Sequence, residues 1–165
     1  MKIGLISDTH DRMEVIKWFA REFGRKGVEV ILHAGDIIAP FAAKPFSPFK
    51  FIAVFGNNCG ERLFLRDTIE KFGGEIRPGP IEIELGGKKF FLMHEPFALK
   101  AATKSGEYDF IIYGHTHELV KRREGRSWIL NPGEACGYLT GKATAMLINT
   151  EKEEIEILEY PGNSS

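Results

Sequence analysis

Lys2-Ile3-Gly4-Leu5-Ile6-Ser7-Asp8-Thr9-His10 is the stretch that decides how this chain is read. A short, mostly apolar run, long enough for one buried strand, stops at a carboxylate and an imidazole. Residues 11–25 then carry helical spacing, with Val15, Phe19 and Phe23 on one face and Gly24 or Gly27 able to stop the helix. The unit recurs. A second apolar run over 28–32 ends in His33-Ala34-Gly35-Asp36, and a third over 51–55 ends in Gly56-Asn57-Asn58. A short Pro-bounded helix over 40–46 and a helix over 63–72 complete the alternation. Strand, helix, strand, helix, strand is the signature of βαβ units and a parallel sheet.

The second half changes character. Residues 81–85 alternate apolar and acidic side chains, meet Gly86-Gly87, and find a hairpin partner in 88–93. A single helix is expected over 96–105, then a buried strand over 110–113 that ends in Gly114-His115-Thr116-His117. Residues 119–123 and 128–130 flank Glu124-Gly125-Arg126 as a second hairpin, and 143–149 with 154–160 form a third. The expected fold is therefore α/β: a four-layer αββα sandwich of two mixed β-sheets flanked by helices, parallel first and more antiparallel later. Residues 1–160 are expected to form a single domain, with 161–165 a disordered tail.

The 165 residues suffice for one core, and 43% hydrophobic with 27% charged residues is an ordinary globular balance. The formal net charge of −1 gives no general attraction to nucleic acid or anionic membrane, so an anionic substrate would need a local positive centre. Apolar runs are too short to span a bilayer, and Asp8 interrupts the N-terminus too early for a signal peptide. Two cysteines, Cys59 and Cys136, make no disulfide framework or zinc-finger spacing, which favours a cytoplasmic protein.

The chemistry lies in where the metal-capable residues fall. Asp8, His10, Asp36, Asn57, His94, His115 and His117 all stand at or just after the C-terminal ends of expected strands, where open α/β sheets build their sites. Four of the five histidines belong to this set. Read singly, each piece has a plainer meaning. Asp8 or Thr9 could cap a helix, Gly35-Asp36 and Gly56-Asn57 could be turns, and His115 and His117 could be polar loop residues. Their joint occurrence at strand ends favours metal binding by oxygen and nitrogen donors.

Asp8-x-His10, Gly35-Asp36, Gly56-Asn57, His94 and Gly114-His115-x-His117, in that order, resemble the full motif set of the calcineurin-like metallophosphoesterases. The short chain, and Asn131-Pro132-Gly133 near its end, are similar to the small bacterial and archaeal phosphodiesterase branch (YfcE-like). The resemblance implies that Asp8, His10, Asp36 and His117 hold one divalent cation and that Asp36, Asn57, His94 and His115 hold another. Asp36 would bridge. A metal-bridging hydroxide would attack the phosphodiester in line, at a centre left positive because two cations outweigh two aspartates and one hydroxide. Asp36, Asn57, Asn58 and His94 are the expected catalytic group. Mn is the first choice of metal, with Ni, Co, Fe or Zn also suited to the donors.

The chain departs from the family pattern in places. Asn58 stands where strong phosphatases carry a histidine near the leaving group, Cys59 where small-branch relatives carry aspartate, and Glu95-Pro96 where glycine follows the His94 position. Further candidates are His33, either a partly buried strand-end histidine or a support for Asp36, and Arg62, either a phosphate ligand or part of a solvated helix face. Cys59 reads as a loop filler; Glu134, Cys136 and Tyr138 carry little weight. Lys121-Arg122-Arg123 with Arg126 reads as a solvated hairpin, so a nucleic-acid polymer is not an expected partner. The expected function is hydrolysis of a small phosphodiester by a homodimer or larger homo-oligomer. Alternatives are a catalytically weak protein-binding scaffold on the same fold, as in a eukaryotic retromer subunit, or a phosphomonoesterase.

Overall fold

The computed structural model describes residues 1–162, so the last three residues of the expected tail lie outside the described residues. In chain order the elements are β1 (Lys2–Ile6), α1 (Met13–Arg25), β2 (Val30–His33), a 3-10 helix (Pro40–Phe46), β3 (Lys50–Val54), α2 (Arg62–Lys71) and β4 (Glu75–Arg77). There follow β5 (Ile81–Leu85), β6 (Lys88–Leu92), a 3-10 turn (Pro96–Ala98), α3 (Leu99–Ser105) and β7 (Phe110–Ile112). The chain ends with β8 (Leu119–Glu124), β9 (Ser127–Pro132), β10 (Thr144–Asn149) and β11 (Glu154–Glu159). One mixed sheet runs β11-β10-β1-β2-β3-β4, with β1 to β4 parallel and β10 and β11 antiparallel. The other runs β5-β6-β7-β9-β8.

Side-chain alternation builds three apolar layers between four layers of structure. Ile3 and Leu5 of β1, Val30 and Leu32 of β2, and Ile52 and Val54 of β3 point into the space between the sheets. There they meet Phe90, Leu92, Phe110, Ile112 and Leu130 of the second sheet. The intervening residues Ile6, Ile31, Phe51 and Ala53 face the other way, against Val15, Ile16, Phe19 and Phe23 of α1 and Leu65 and Ile69 of α2. On the far side, Phe91, Ile111 and Ile129 pack under Ala102 of α3. Burial on both faces is why these strands read as continuous apolar runs. Each fully buried Phe or Ile contributes about 1.5–3 kcal/mol.

Several expectations need correction. The three expected hairpins form, β5-β6, β8-β9 and β10-β11, but the second sheet is not built of hairpins alone. β6 and β7 pair in parallel, and β9 inserts between β7 and its hairpin partner β8, again parallel to β7. The expected helix over 96–105 is broken, because Ala98 at φ −98° and ψ 4° separates the 3-10 turn from α3. β4 was not expected; it is an edge strand of three residues, two of them charged. No helix among the described residues is long and apolar enough to cross a membrane.

Candidate metal centre

Parallel pairing brings the loops that carry the candidate ligands to one edge. β1, β2 and β3 end just before Asp8, Asp36 and Asn57; β6 and β7 end just before His94 and the His115–His117 loop. Backbone bonds join the loops directly: Asp8 N donates to Gly35 O (3.0 Å), His10 N to Asp36 O (3.3 Å), and Gly114 N to His94 O (2.9 Å). The plainer reading of the first piece, a helix cap, does not hold. α1 begins after Arg12 with no side-chain cap, so neither Asp8 nor Thr9 caps it.

Asp8 is fully buried. Its Oδ2 accepts from Ser7 Oγ (2.6 Å) and from the His115 backbone N–H (3.2 Å). Its Oδ1 has no hydrogen-bond partner, and neither has His10 Nε2; these are two of three such buried side-chain atoms among the described residues. Asp8, His10, Asp36 and His117 bring donor atoms within 4.8 Å of one another. His117 Nε2 lies 3.3 Å from Asp8 Oδ1, and His10 Nε2 lies 3.3 Å from Asp36 Oδ2. The carboxylates of Asp36 and then Asp8 beside its ring pull the His10 imidazole up to about 9. Burial alone would raise the Asp36 carboxyl, but His10, the charge of His94 and Asn58 outweigh it and hold it well below the ordinary range. Both shifts mark a pocket that favours positive charge.

A second group adjoins the first. His94 Nδ1 faces Ala34 O at 2.7 Å. A carbonyl can only accept, so Nδ1 carries a proton, and in the neutral imidazole Nε2 presents a lone pair. That lone pair faces Asn57 Oδ1 at 2.9 Å and Asp36 Oδ1 at 3.4 Å, both acceptors. His115 Nδ1 lies 3.1 Å from the same Asn57 oxygen. With these ring nitrogens unprotonated, the converging oxygens and imidazoles are a donor set that a divalent cation would satisfy. The residues present fit a two-cation site, with Asp36 facing both groups.

The backbone is strained where the candidate ligands sit. Asp8, His10, Asp36, His115 and His117 have φ between 39° and 65°. They are five of the eight non-glycine residues with positive φ among the described residues. Asp and His tolerate this region better than most residues, yet such clustering is the usual mark of a functional site. Two motif glycines admit the ligands by close approach. A Cβ on Gly56 would lie 2.1 Å from Asp36 Oδ1, and one on Gly114 would lie 2.2 Å from Ser7 Oγ.

A family model described as the calcineurin-like phosphoesterase superfamily domain matches residues 1–153. The chain belongs to the calcineurin-like phosphoesterase superfamily. It is 42% identical over 159 residues to a protein of Methanocaldococcus jannaschii named as a phosphodiesterase, covering 93% of this chain and 96% of that one. The solved structure of an archaeal phosphodiesterase superposes with a TM-score of 0.92 at 39% identity, over 97% of this chain and 100% of the other. The phosphoesterase Yfce of E. coli shares the fold at a TM-score of 0.68 and 18% identity, over 96% and 98% of the two chains. In activity class the chain is, like its superfamily, a phosphoric ester hydrolase.

The remaining sequence candidates support this phosphoesterase centre from behind. His33 is fully buried, not partly. Its Nδ1 accepts from Gly35 N (3.1 Å) and its Nε2 meets Thr9 Oγ1 (3.2 Å), so it ties the Asp8–His10 loop to the Gly35-Asp36 loop. Burial pushes its pKa down to about 3 and keeps it neutral. Cys59 is a buried loop filler whose Sγ accepts from Gly56 N (3.2 Å), and burial pushes its thiol up. Arg62 donates to Gly56 O (3.2 Å) and lies over the Phe55 ring, bracing the loop that carries Asn57. Asn58 donates through N and Nδ2 to the two oxygens of Asp36 (2.9 and 3.1 Å).

Two supports were missed or underweighted. Asn131 is buried and donates through Nδ2 to Gly114 O (3.1 Å) and Thr116 Oγ1 (3.0 Å), fixing the His115–His117 loop. Glu134, wholly buried, accepts from His117 Nδ1 at 2.5 Å. Burial would raise its carboxyl, but hydrogen bonds from His117, Thr140 and Leu139 hold it below the ordinary range.

Proposed function

We propose that this phosphoesterase is a dinuclear, metal-dependent phosphodiesterase that hydrolyses small phosphodiesters. One observation carries the reading: Asp36 turns one oxygen toward His10 and the other toward His94, so two groups of ligand atoms share one carboxylate. Asp8, His10, Asp36 and His117 would hold one cation; Asp36, Asn57, His94 and His115 would hold the other, with Mn²⁺ our first choice. When bound, such a pair acidifies water, orients the phosphoryl group and offsets charge that develops during in-line displacement. The chain's own residues do the rest. Buried Asp8, Asp36 and His94 form a floor closed to water, and exposed Asn57, Asn58 and His115 form the side open to an ester. Neutral imidazoles and one amide keep the centre from being over-neutralised. The name of the Methanocaldococcus relative supports the diester.

The test uses metal-stripped protein, reloaded with Mn²⁺, Ni²⁺, Co²⁺, Fe²⁺ or Zn²⁺ in turn, and nitrophenyl mono- and diesters. Turnover should return with Mn²⁺ and be at least about tenfold faster on the diester, a difference of about 1.4 kcal/mol in the barrier. A faster monoester would make the chain a phosphomonoesterase. Well-folded, metal-loaded protein that turns over neither ester would support the scaffold reading instead.

Asn58 sets a second prediction. An amide cannot supply a proton to a departing alkoxide at neutral pH, and here its Nδ2 is engaged by Asp36. Rates should therefore depend steeply on leaving-group acidity. Asn58→His would introduce a group titrating near neutrality. It should speed diesters with poor leaving groups by roughly tenfold and nitrophenyl esters little, at the low end of general-acid effects because no partner orients the new ring. A flat leaving-group series in the unaltered protein, with chemistry rate-limiting, would reveal another proton donor and overturn this picture.

The proposal includes a cytoplasmic homodimer or larger assembly. Phe41, Leu63 and Phe64 are 50%, 77% and 65% exposed, the kind of surface that association covers. Sedimentation velocity should show a species larger than one chain; a monomer at every concentration removes this part.

A further inference from the structure

We infer that Glu134 is a positioning residue: it fixes the tautomer of His117 and so sets the cation affinity of the Asp8–His10–Asp36–His117 half of the centre. The inference rests on the metal reading above, and goes beyond it to a residue outside the ligand set.

The two oxygens of Glu134 have separate tasks. Oε1 accepts from Leu139 N (2.8 Å), Thr140 N (2.5 Å) and Thr140 Oγ1 (2.8 Å). Three donors on one oxygen hold the carboxylate in a single orientation. Oε2 then points at His117 Nδ1, 2.5 Å away, with Cys136 Sγ beside it at 3.5 Å. A carboxylate accepts and does not donate, so the imidazole proton is held on Nδ1. The lone pair is thereby committed to Nε2, the nitrogen that faces Asp8 Oδ1 at 3.3 Å. A neutral imidazole with the other tautomer would turn an N–H into the site and could bind no cation there.

The topology makes the contact. β9 lies parallel to β7, so the segment after β9 runs beside the His115–His117 loop. Ala135 N and Cys136 N donate to Ser7 O (2.9 Å) and Asp8 O (3.1 Å), so this segment is also tied to the loop that bears Asp8. The other imidazoles are backed differently. His94 rests on the neutral carbonyl of Ala34, and His115 turns its Nδ1 into the site, toward Asn57 Oδ1. Among the described residues, His117 is the one candidate ligand whose ring is hydrogen-bonded from behind by a carboxylate, an arrangement that orients the ring and raises its basicity as a ligand. A wholly buried carboxylate is costly unless its charge is used, and the His117 N–H together with a cation beyond it would use it.

The rival explanation is that Glu134 merely ties down the segment 139–140. Glu134→Gln separates the two. Glutamine has the same shape and can keep an oxygen toward the three loop donors. Its amide N–H₂ then faces His117 Nδ1 and requires that nitrogen to accept, which moves the imidazole proton to Nε2. Thr140→Val is the companion variant, removing the hydroxyl that bonds Glu134 Oε1 and the Lys142 backbone and leaving the carboxylate. Two readouts apply. Imidazole nitrogen chemical shifts of the metal-stripped protein should report an Nδ1–H tautomer for His117 in the unaltered chain and Nε2–H in Glu134→Gln. Calorimetric titration with Mn²⁺ should show one of two binding events weakened about 10–100-fold in Glu134→Gln, and neither weakened in Thr140→Val.

An Nε2–H tautomer in the unaltered protein overturns the inference, whether or not the variant folds. So does an unchanged Mn²⁺ affinity in folded Glu134→Gln, or an equal loss in Thr140→Val. Failure of the unaltered chain to bind Mn²⁺, Ni²⁺, Co²⁺, Fe²⁺ or Zn²⁺ would sink the metal reading itself, and with it the affinity half of this inference. That outcome is read by metal titration of the unaltered chain, whereas the tautomer is read from its nitrogen shifts without metal and the other two outcomes on the variants.

Discussion

Asp36→Asn is expected to lower the rate of diester hydrolysis by about 10³-fold or more and to empty both cation sites. The carboxylate faces His10 with one oxygen and His94 with the other, and both oxygens already accept from Asn58. An amide in its place must turn an N–H₂ toward one Asn58 donor, whichever way it is rotated. Removing the charge from a buried, paired position costs about 3–5 kcal/mol, and 4 kcal/mol is close to 10³ in rate. The fold should survive, because Asn adopts the left-handed conformation at φ 65° as readily as Asp. Asp8→Asn is the natural comparison: the only candidate imidazole rings that Asp8 faces are those of His10 and His117, so its loss should weaken one cation and spare the other. Metal content by mass spectrometry, steady-state rates and circular dichroism decide the matter together. Two ions still bound to Asp36→Asn, with a rate within tenfold of the unaltered protein, would show that Asp36 does not bridge.

The candidate ligand set was legible because it combines residue type with place. An Asp, Asn or His straight after an apolar run needs no tertiary knowledge to be noticed, and seven of them recur in a known order. The first sheet was legible for the same reason. Its strands are buried on both faces, and helices of ordinary spacing separate them. β4 was not legible, because Glu75-Ile76-Arg77 contains a single apolar residue and no period can be read from it. The order of the second sheet was hidden more deeply. Residues 119–132 do form a hairpin, but nothing local says that its second strand inserts next to β7. That insertion brings Glu134 against His117 and Asn131 against Gly114. In the sequence Glu134 is one acidic residue among glycines, and Asn131 belongs to a turn-like tripeptide. His33 was underread for a related reason. Its full burial comes from Phe46 and Phe51 packing around it, with ring centroids 6.4 and 6.1 Å away, a contact between segments distant in the chain. Groups that would touch a cation are announced by their chemistry; groups that hold those groups are announced only by the fold.

Gly56→Ala tests that last distinction with a residue that has no chemistry at all. The added Cβ would stand 2.1 Å from Asp36 Oδ1 and 2.4 Å from Asp36 N, distances no packed pair of atoms adopts. The Asp36 nitrogen belongs to a segment held by His10, whose N–H donates to Asp36 O at 3.3 Å, so the backbone gives way last. The strain falls on the Asp36 carboxylate, which must rotate, or on the Gly56-Asn57-Asn58 loop, which must lift. Rotation turns an oxygen away from one cation group. Lifting separates Asn57 Oδ1 from His94 Nε2, now 2.9 Å apart, and Asn58 N from Asp36 Oδ1, also 2.9 Å. Overpacking of this kind costs about 1–3 kcal/mol of stability, or a Tm lower by several degrees at about 2–4 °C per kcal/mol. A displacement near 1 Å at reacting groups costs about 10²-fold in rate. Gly56→Ala is therefore expected to lose about 10²-fold in diester turnover while remaining folded at room temperature. Gly87→Ala is the control: its φ of 73° makes a side chain strained there, but nothing lies within 4 Å of the new Cβ. That variant should lose about 1 kcal/mol of stability and keep its rate. If both variants lose stability alike and neither loses turnover, close approach at Gly56 does not shape the site, and the Gly-Asn pair is turn chemistry only.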